Sequence, residues 1–209
     1  MTRRALVFDA GGVIIRWQPR QLVRRALPAF AHDESTAGVV AAAIFDTADR
    51  DADWAQFDLG RVEPDALAAR IAARTGYPVQ QLRALIADIP EHLEPMPASV
   101  ALLGRVRAAG HRLALLSNMP RPHAAHLEDR HAFLGWFEAR VFSGRVGLMK
   151  PERAMFDHAR QLLALDLEHA LFIDDLPANI EAARKLGWQA LLFENAVQCE
   201  AALRDGGWL

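Results

Sequence analysis

The chain has 209 residues, a formal net charge of −2 and a hydrophobic fraction of 52%. That composition supports a compact core and excludes an intrinsically disordered chain. The near-neutral charge, with scattered arginines, leaves no basic stripe for a nucleic-acid partner, and no apolar run approaches the roughly 20 residues of a membrane span.

The opening run, Met1-Thr2-Arg3-Arg4-Ala5-Leu6-Val7-Phe8-Asp9, is cut short by Asp9. It is too brief for a signal peptide, so Ala5–Phe8 reads as a buried strand. Residues 17–90 carry no convincing strand. Leu22, Val23, Ala26 and Leu27 form one helical stripe, and Val39, Val40, Ala43 and Ile44 a second. Leu67 with Ile71, then Leu82, Leu85, Ile86 and Ile89, supply two more, so roughly four helices are expected. Trp17, Trp54 and Phe57 in this segment could line a substrate pocket, but aromatics in a small helical bundle more often form its own core. An insertion placed directly after the first strand would lie over the crevice where open α/β sheets bind ligands.

Beyond residue 90, Val100, Leu103 and Val106 mark a helix that Gly110 stops. Leu113–Leu116 reads as the next strand. His123 and His126, with His131 nearby, match no zinc spacing and are expected on a solvent-facing helix after Pro122. Ala139–Phe142 is a weaker strand. Pro151 is placed to open a helix carrying Met155, Ala159, Leu162 and Leu163 on one face. Ala170–Ile173 and Ala190–Phe193 are further strands, separated by a helix between Pro177 and Gly187 that holds Ile180, Ala183 and Leu186. This alternation predicts an α/β fold with a doubly wound parallel sheet. Residues 1–16 and 91–209 would form its core, and residues 17–90 a helical cap. The single cysteine, Cys199, permits no intrachain disulfide. It suits a cytoplasmic location and is expected to be inert. Nothing in the pattern speaks to oligomeric state.

Four sites fall at or just beyond the carboxyl ends of these strands: Asp9; Ser117 with Asn118; Lys150; and Asp174 with Asp175. Each alone is explicable as a turn or cap residue. In a parallel sheet all would meet at one edge. Asp9 is a carboxylate able to attack phosphorus, and Ser117, Asn118 and Lys150 can hold phosphate oxygens. Carboxylates clustered with ~4 Å spacing repel by about 4 kcal/mol per pair at an effective dielectric near 20. A hard cation such as Mg²⁺ would relieve this. Among 24 Lys and Arg residues only Lys150 and Lys185 are lysine, so a lysine at this position is notable: a compact ammonium fits a crowded phosphate site better than a forked guanidinium.

These segments resemble the four motifs of the haloacid-dehalogenase-like superfamily over nearly the whole chain. The most specific are residues 110–118, 144–156 and 172–187. They are similar to subfamily IA with a helical cap, in the branch of bacterial glucose-1-phosphate phosphatase and the phosphatase domain of soluble epoxide hydrolase. The resemblance implies Asp9 as nucleophile. It implies Mg²⁺ on Asp9, on the Gly11 carbonyl and on Asp175, with Asp174 close by, and Ser117, Asn118 and Lys150 on the phosphate. The expected activity is hydrolysis of a small phosphate monoester, a sugar phosphate being one candidate, through an aspartyl-phosphate. Most phosphatases of the superfamily carry a second Asp two residues after the nucleophile; here that position is Gly11, which cannot protonate a leaving group. Two alternatives stand beside this reading: a 2-haloacid dehalogenase and a non-catalytic binding protein on the same fold.

Overall fold

A computed structural model of the chain describes residues 4–47 and 49–209. Met1–Arg3, at the start of the expected core segment, and Ala48, inside the expected cap, lie outside the described residues.

The elements run β1 (Ala5–Phe8), α1 (Pro19–Ala26), α2 (Glu34–Ile44), α3 (Asp53–Asp58), α4 (Pro64–Thr75), α5 (Val79–Asp88), α6 (Pro97–Ala108) and β2 (Arg112–Ser117). They continue with α7 (Arg121–Arg130), β3 (Ala139–Phe142), α8 (Ser143–Val146), α9 (Arg153–Leu162), β4 (Ala170–Asp174), α10 (Pro177–Lys185), β5 (Gln189–Leu192) and α11 (Ala196–Asp205). The five strands form one parallel sheet in the order β3-β2-β1-β4-β5. β1 is central because both its faces are apolar. Leu6 and Phe8 pack into one hydrophobic cluster with Leu103 and Leu113, while Ala5 and Val7 pack into another with Phe156 and Phe172. A strand covered on both sides reads as an unbroken apolar run, which is why the period-2 alternation is missing.

The chain leaves the sheet after β1 through a tight turn in which the Ala10 carbonyl accepts the N–H groups of Ile14 and Ile15, both at 2.8 Å. It enters the inserted helices at residues 14–16 and returns beside itself at 94–96. Arg16 N–H donates to Glu94 O and Met96 N–H to Ile14 O, both at 2.8 Å.

Several sequence-based expectations need correction. Among its described residues the insertion has five α-helices where roughly four were expected, because α3 is only six residues long and too short to show a period. In α2 the buried face is Ala37, Val40, Ala41 and Ile44, the proper i, i+3, i+4, i+7 set, and Val39 is exposed. Leu162 is likewise exposed, leaving Leu163 to pack inward. Pro151 does not open α9. The Glu152 N–H bonds Met149 O at 3.0 Å in a turn, and Glu152 becomes the residue that precedes the helix. Finally, His123 does not face solvent: it is buried in the first turn of α7. Cys199 is buried, and burial, with Glu200 adding to it, pushes its thiol up to about 12. No helix among the described residues is long and apolar enough to cross a membrane.

Candidate active site

Parallel strands all end at one edge of a sheet, and the loops leaving β1, β2, β3 and β4 bring Asp9, Ser117, Asn118, Lys150 and Asp175 to the floor of one cavity of about 280 Å³. Asp9 follows β1 directly, and its N–H donates to Ile173 O at 2.8 Å, which continues the β1–β4 ladder by one residue. Its Oδ1 accepts the Ala10 N–H at 2.7 Å and lies 3.0 Å from Lys150 Nζ. Burial raises the Asp9 pKa. Lys150 opposes that rise, Asp174 adds to it, and a hydrogen bond from the Ser117 hydroxyl offsets part of it.

Lys150 is fully buried, and Nζ reaches Asp174 Oδ2 at 2.5 Å as well as Asp9. Burial by itself would favour a neutral amine. The two carboxylates outweigh it and raise the Lys150 pKa, so the ammonium persists. Asp174 is held rigidly: Leu176 N–H donates to Oδ1 at 2.8 Å, and Asn179 Nδ2 reaches both oxygens at 3.0 Å. The side-chain amide of Asn118 clamps the Lys150 peptide reciprocally, donating to Lys150 O and accepting Lys150 N–H, each at 2.8 Å. That amide therefore holds the lysine loop, while Ser117 Oγ faces Asp9.

Asp9, Asp174 and Asp175 offer oxygens that all lie within 4.8 Å of one another. Three carboxylates share one ammonium, and Asp175 shows the imbalance. Burial, then Asp9 and Asp174, push its pKa up to about 7. A donor set made only of oxygens, with negative charge in excess, fits a hard divalent cation. Gly12 adds to that fit. It adopts φ +75°, and a Cβ there would run into the Asp175 carboxylate, so only glycine lets the backbone pass so close to it. Gly11, by contrast, has neither a left-handed φ nor any atom within 4 Å of where a Cβ would stand. The site residues expected from the sequence are thus brought together.

The walls differ more from the sequence reading, which favoured core for Trp17 and Trp54. Trp17, Phe45, Trp54, Leu93, Met119 and Leu176 line the cavity above the floor. Trp54 is buried in an edge-to-face cluster with Phe45 (4.6 Å between centroids) and Phe57 (5.4 Å). Trp17 and Trp54 therefore belong to the cavity wall as well as to the helical core, while Phe57 stays in the core. His123 meets Phe57 edge-on at 5.6 Å, and burial, with His126 nearby, lowers its pKa to about 4, so it is neutral at pH 7. Its one sequence signal was position, in the first turn of the helix that follows Ser117-Asn118. Asp58, the last residue of α3, also lines the cavity and is buried. Burial, then the charge of Asp9, pushes its pKa up to about 8. A lone Asp between Phe57 and Leu59 gave no pattern to find.

The chain is similar to several known proteins. A sesquiterpene phosphatase of Aspergillus oryzae is 24% identical over 207 residues, 98% of this chain and 96% of the relative. Among solved structures, a haloacid-dehalogenase-family enzyme of Bacteroides thetaiotaomicron, in complex with magnesium and inorganic phosphate, superposes with a TM-score of 0.69. It is 21% identical, over 91% of this chain and 94% of that one. The L-2-haloacid dehalogenase of Xanthobacter autotrophicus, with chloropropionic acid covalently bound, shares the fold at a TM-score of 0.65 and 17% identity, over 100% and 85% of the two chains. A profile of haloacid dehalogenase-like hydrolases matches residues 3–187, and with the strand-end carboxylates and lysine in place the chain belongs to that family of hydrolases.

Proposed function

We propose that this hydrolase is a magnesium-dependent phosphatase acting on a small phosphate monoester whose alcohol is apolar. The observation that carries the reading is the division of the cavity. Its floor gathers three carboxylates, Lys150 and Ser117, and its walls are mainly aromatic and aliphatic, with Thr47, Asp58 and His123 the polar groups among them.

Asp9 is the nucleophile: a carboxylate oxygen attacks phosphorus as the ester P–O bond breaks, leaving an aspartyl-phosphate that water then hydrolyses. Lys150 and the Ser117 hydroxyl hold phosphate oxygens in line with Asp9. Asp174 and Asn179 fix the direction of the Lys150 ammonium, and Asn118 fixes its loop. Both Asp174 oxygens already accept hydrogen bonds, so Asp174 acts through Lys150 and through its charge. Asp9, the Gly11 carbonyl and Asp175 are the groups that would hold Mg²⁺, which offsets the negative charge of nucleophile and phosphate when bound.

The alcohol side decides the substrate class. A sugar would need a polar partner for each of several hydroxyls, whereas Trp17, Phe45, Trp54, Leu93, Met119 and Leu176 outnumber the polar wall residues Thr47, Asp58 and His123. The sesquiterpene phosphatase relative supports the same class, because a sesquiterpene skeleton is hydrocarbon. An excess of carboxylate beside the nucleophile favours phosphatase over dehalogenase chemistry, since a halide needs no cation to leave.

Phosphate release should be measured from an isoprenoid alkyl phosphate, a sugar phosphate and an aryl phosphate, with Mg²⁺ and with chelator, alongside halide release from 2-chloropropionate. The expected result is Mg²⁺-dependent phosphate release, with the alkyl ester preferred over the sugar ester. Halide release with no phosphatase activity would overturn the proposal.

A further inference from the structure

We propose that Asp58 is the proton donor to the leaving alcohol, supplied from the helical insertion in place of the side chain that Gly11 lacks. This rests on the phosphatase reading above. An unactivated alkoxide is a poor leaving group, and it departs readily only if a proton reaches the bridging oxygen as the P–O bond breaks. Gly11 has no side chain to supply one. On the floor, Asp9 is the nucleophile, Asp175 belongs to the carboxylate cluster, and Asp174 is occupied by Lys150, Asn179 and the Leu176 N–H. His123, across the cavity wall, is neutral.

Asp58 differs from all of these. It lies on the wall of the same cavity as Asp9, near enough for the charge on Asp9 to bear on it, and apart from the carboxylate cluster. No cation or hydrogen-bond donor among the described residues holds its carboxyl as an anion, and burial keeps its proton on at neutral pH. Its backbone is fixed. Ser143 Oγ donates to the Asp58 carbonyl at 2.6 Å and accepts the Met119 N–H at 2.8 Å. Two residues on, Gly60 adopts φ +70°, where a Cβ would strike the Gly144 carbonyl. The end of α3 is thus tied to the start of α8, which follows directly on β3, the strand beside β2, whose Ser117 faces the nucleophile. A carboxyl carried on a fixed backbone is positioned as proton transfer in the transition state requires.

The proton balance closes over the two steps. In the first, an Asp9 oxygen bonds to phosphorus, the ester P–O bond breaks, and the Asp58 proton passes to the departing oxygen. The alcohol leaves neutral and Asp58 is left as a carboxylate. In the second, water attacks the phosphorus of the aspartyl-phosphate. Asp58 takes one water proton as hydrogen phosphate and the Asp9 carboxylate are released.

The test is kcat/KM across phosphate monoesters whose alcohols range from acidic phenols to an alkyl alcohol. This parameter ends at release of the alcohol, so hydrolysis of the aspartyl-phosphate does not enter it. The parent should show a shallow dependence on leaving-group pKa. Asp58→Asn should steepen it, raising the aryl-to-alkyl ratio by about 10²–10⁴-fold, the usual contribution of a general acid. Asp58→Glu should recover part of the alkyl rate. The same slope in parent and Asp58→Asn, or a steep slope in the parent itself, would overturn the assignment while leaving the phosphatase reading intact. A parent that releases phosphate from no ester in Mg²⁺ would overturn both.

Discussion

The floor and the walls of the cavity are built on opposite principles. The buried polar groups on the floor hold one another: Lys150 lies between Asp9 and Asp174, Asp174 accepts from Lys150, Asn179 and the Leu176 N–H, and the Asn118 amide bonds both the N–H and the carbonyl of Lys150. The walls hold large apolar rings and two buried ionisable groups that burial drives to their uncharged forms, Asp58 and His123. The floor stabilises charge and the walls exclude it. Phosphoryl transfer needs both, because electrostatic stabilisation is strongest where water is kept out.

The largest expected effect lies on the floor. Asp175→Ala should remove the dependence of rate on Mg²⁺ together with nearly all activity, whereas Ser117→Ala, which loses one of several phosphate contacts, should lose about 10²-fold or less and keep its Mg²⁺ dependence. Rate titrated against Mg²⁺ in the two variants decides the matter. An Asp175→Ala enzyme with the parent's Mg²⁺ response would show that the carboxylate cluster does not bind the ion.

A smaller effect is expected at the wall, in stability. Burial depresses the His123 pKa from 6.5 to about 4. A base with a depressed folded-state pKa contributes stability that is complete above its unfolded pKa and is lost as pH falls through the folded value. The protein should therefore lose up to about 3 kcal/mol between pH 6.5 and pH 4 through this residue. His123→Gln should flatten that part of the stability profile. Denaturant melts across this range measure it, and an unchanged pH slope in the variant would contradict the burial of a neutral imidazole.

The same contrast explains what could be read from the sequence. The floor was legible because strand ends of a parallel sheet converge, so Asp9, Ser117, Lys150 and Asp175 could be placed together from four short apolar runs. The role of the Asn118 amide was not, because its partner is a backbone 32 residues away. The walls were opaque for a different reason. Trp54 and Asp58 sit on a six-residue helix with no period, and Phe45 and His123 reach the cavity only through packing between distant segments. Gly11 was singled out because it has no side chain to act as an acid. The tight position, however, is its neighbour Gly12, whose Cβ site coincides with the Asp175 carboxylate.

The central claim is that a phosphoryl group passes through Asp9. The direct measurement is acid quenching of the protein during turnover of a phosphate ester in Mg²⁺, followed by mass spectrometry of the peptide that carries Asp9. The expected result is one phosphoryl group on that peptide, labile to hydroxylamine, absent in chelator and absent in Asp9→Asn. Sustained phosphate release by an Asp9→Asn protein, at the parent's rate and with nothing bound to the peptide, would contradict the claim.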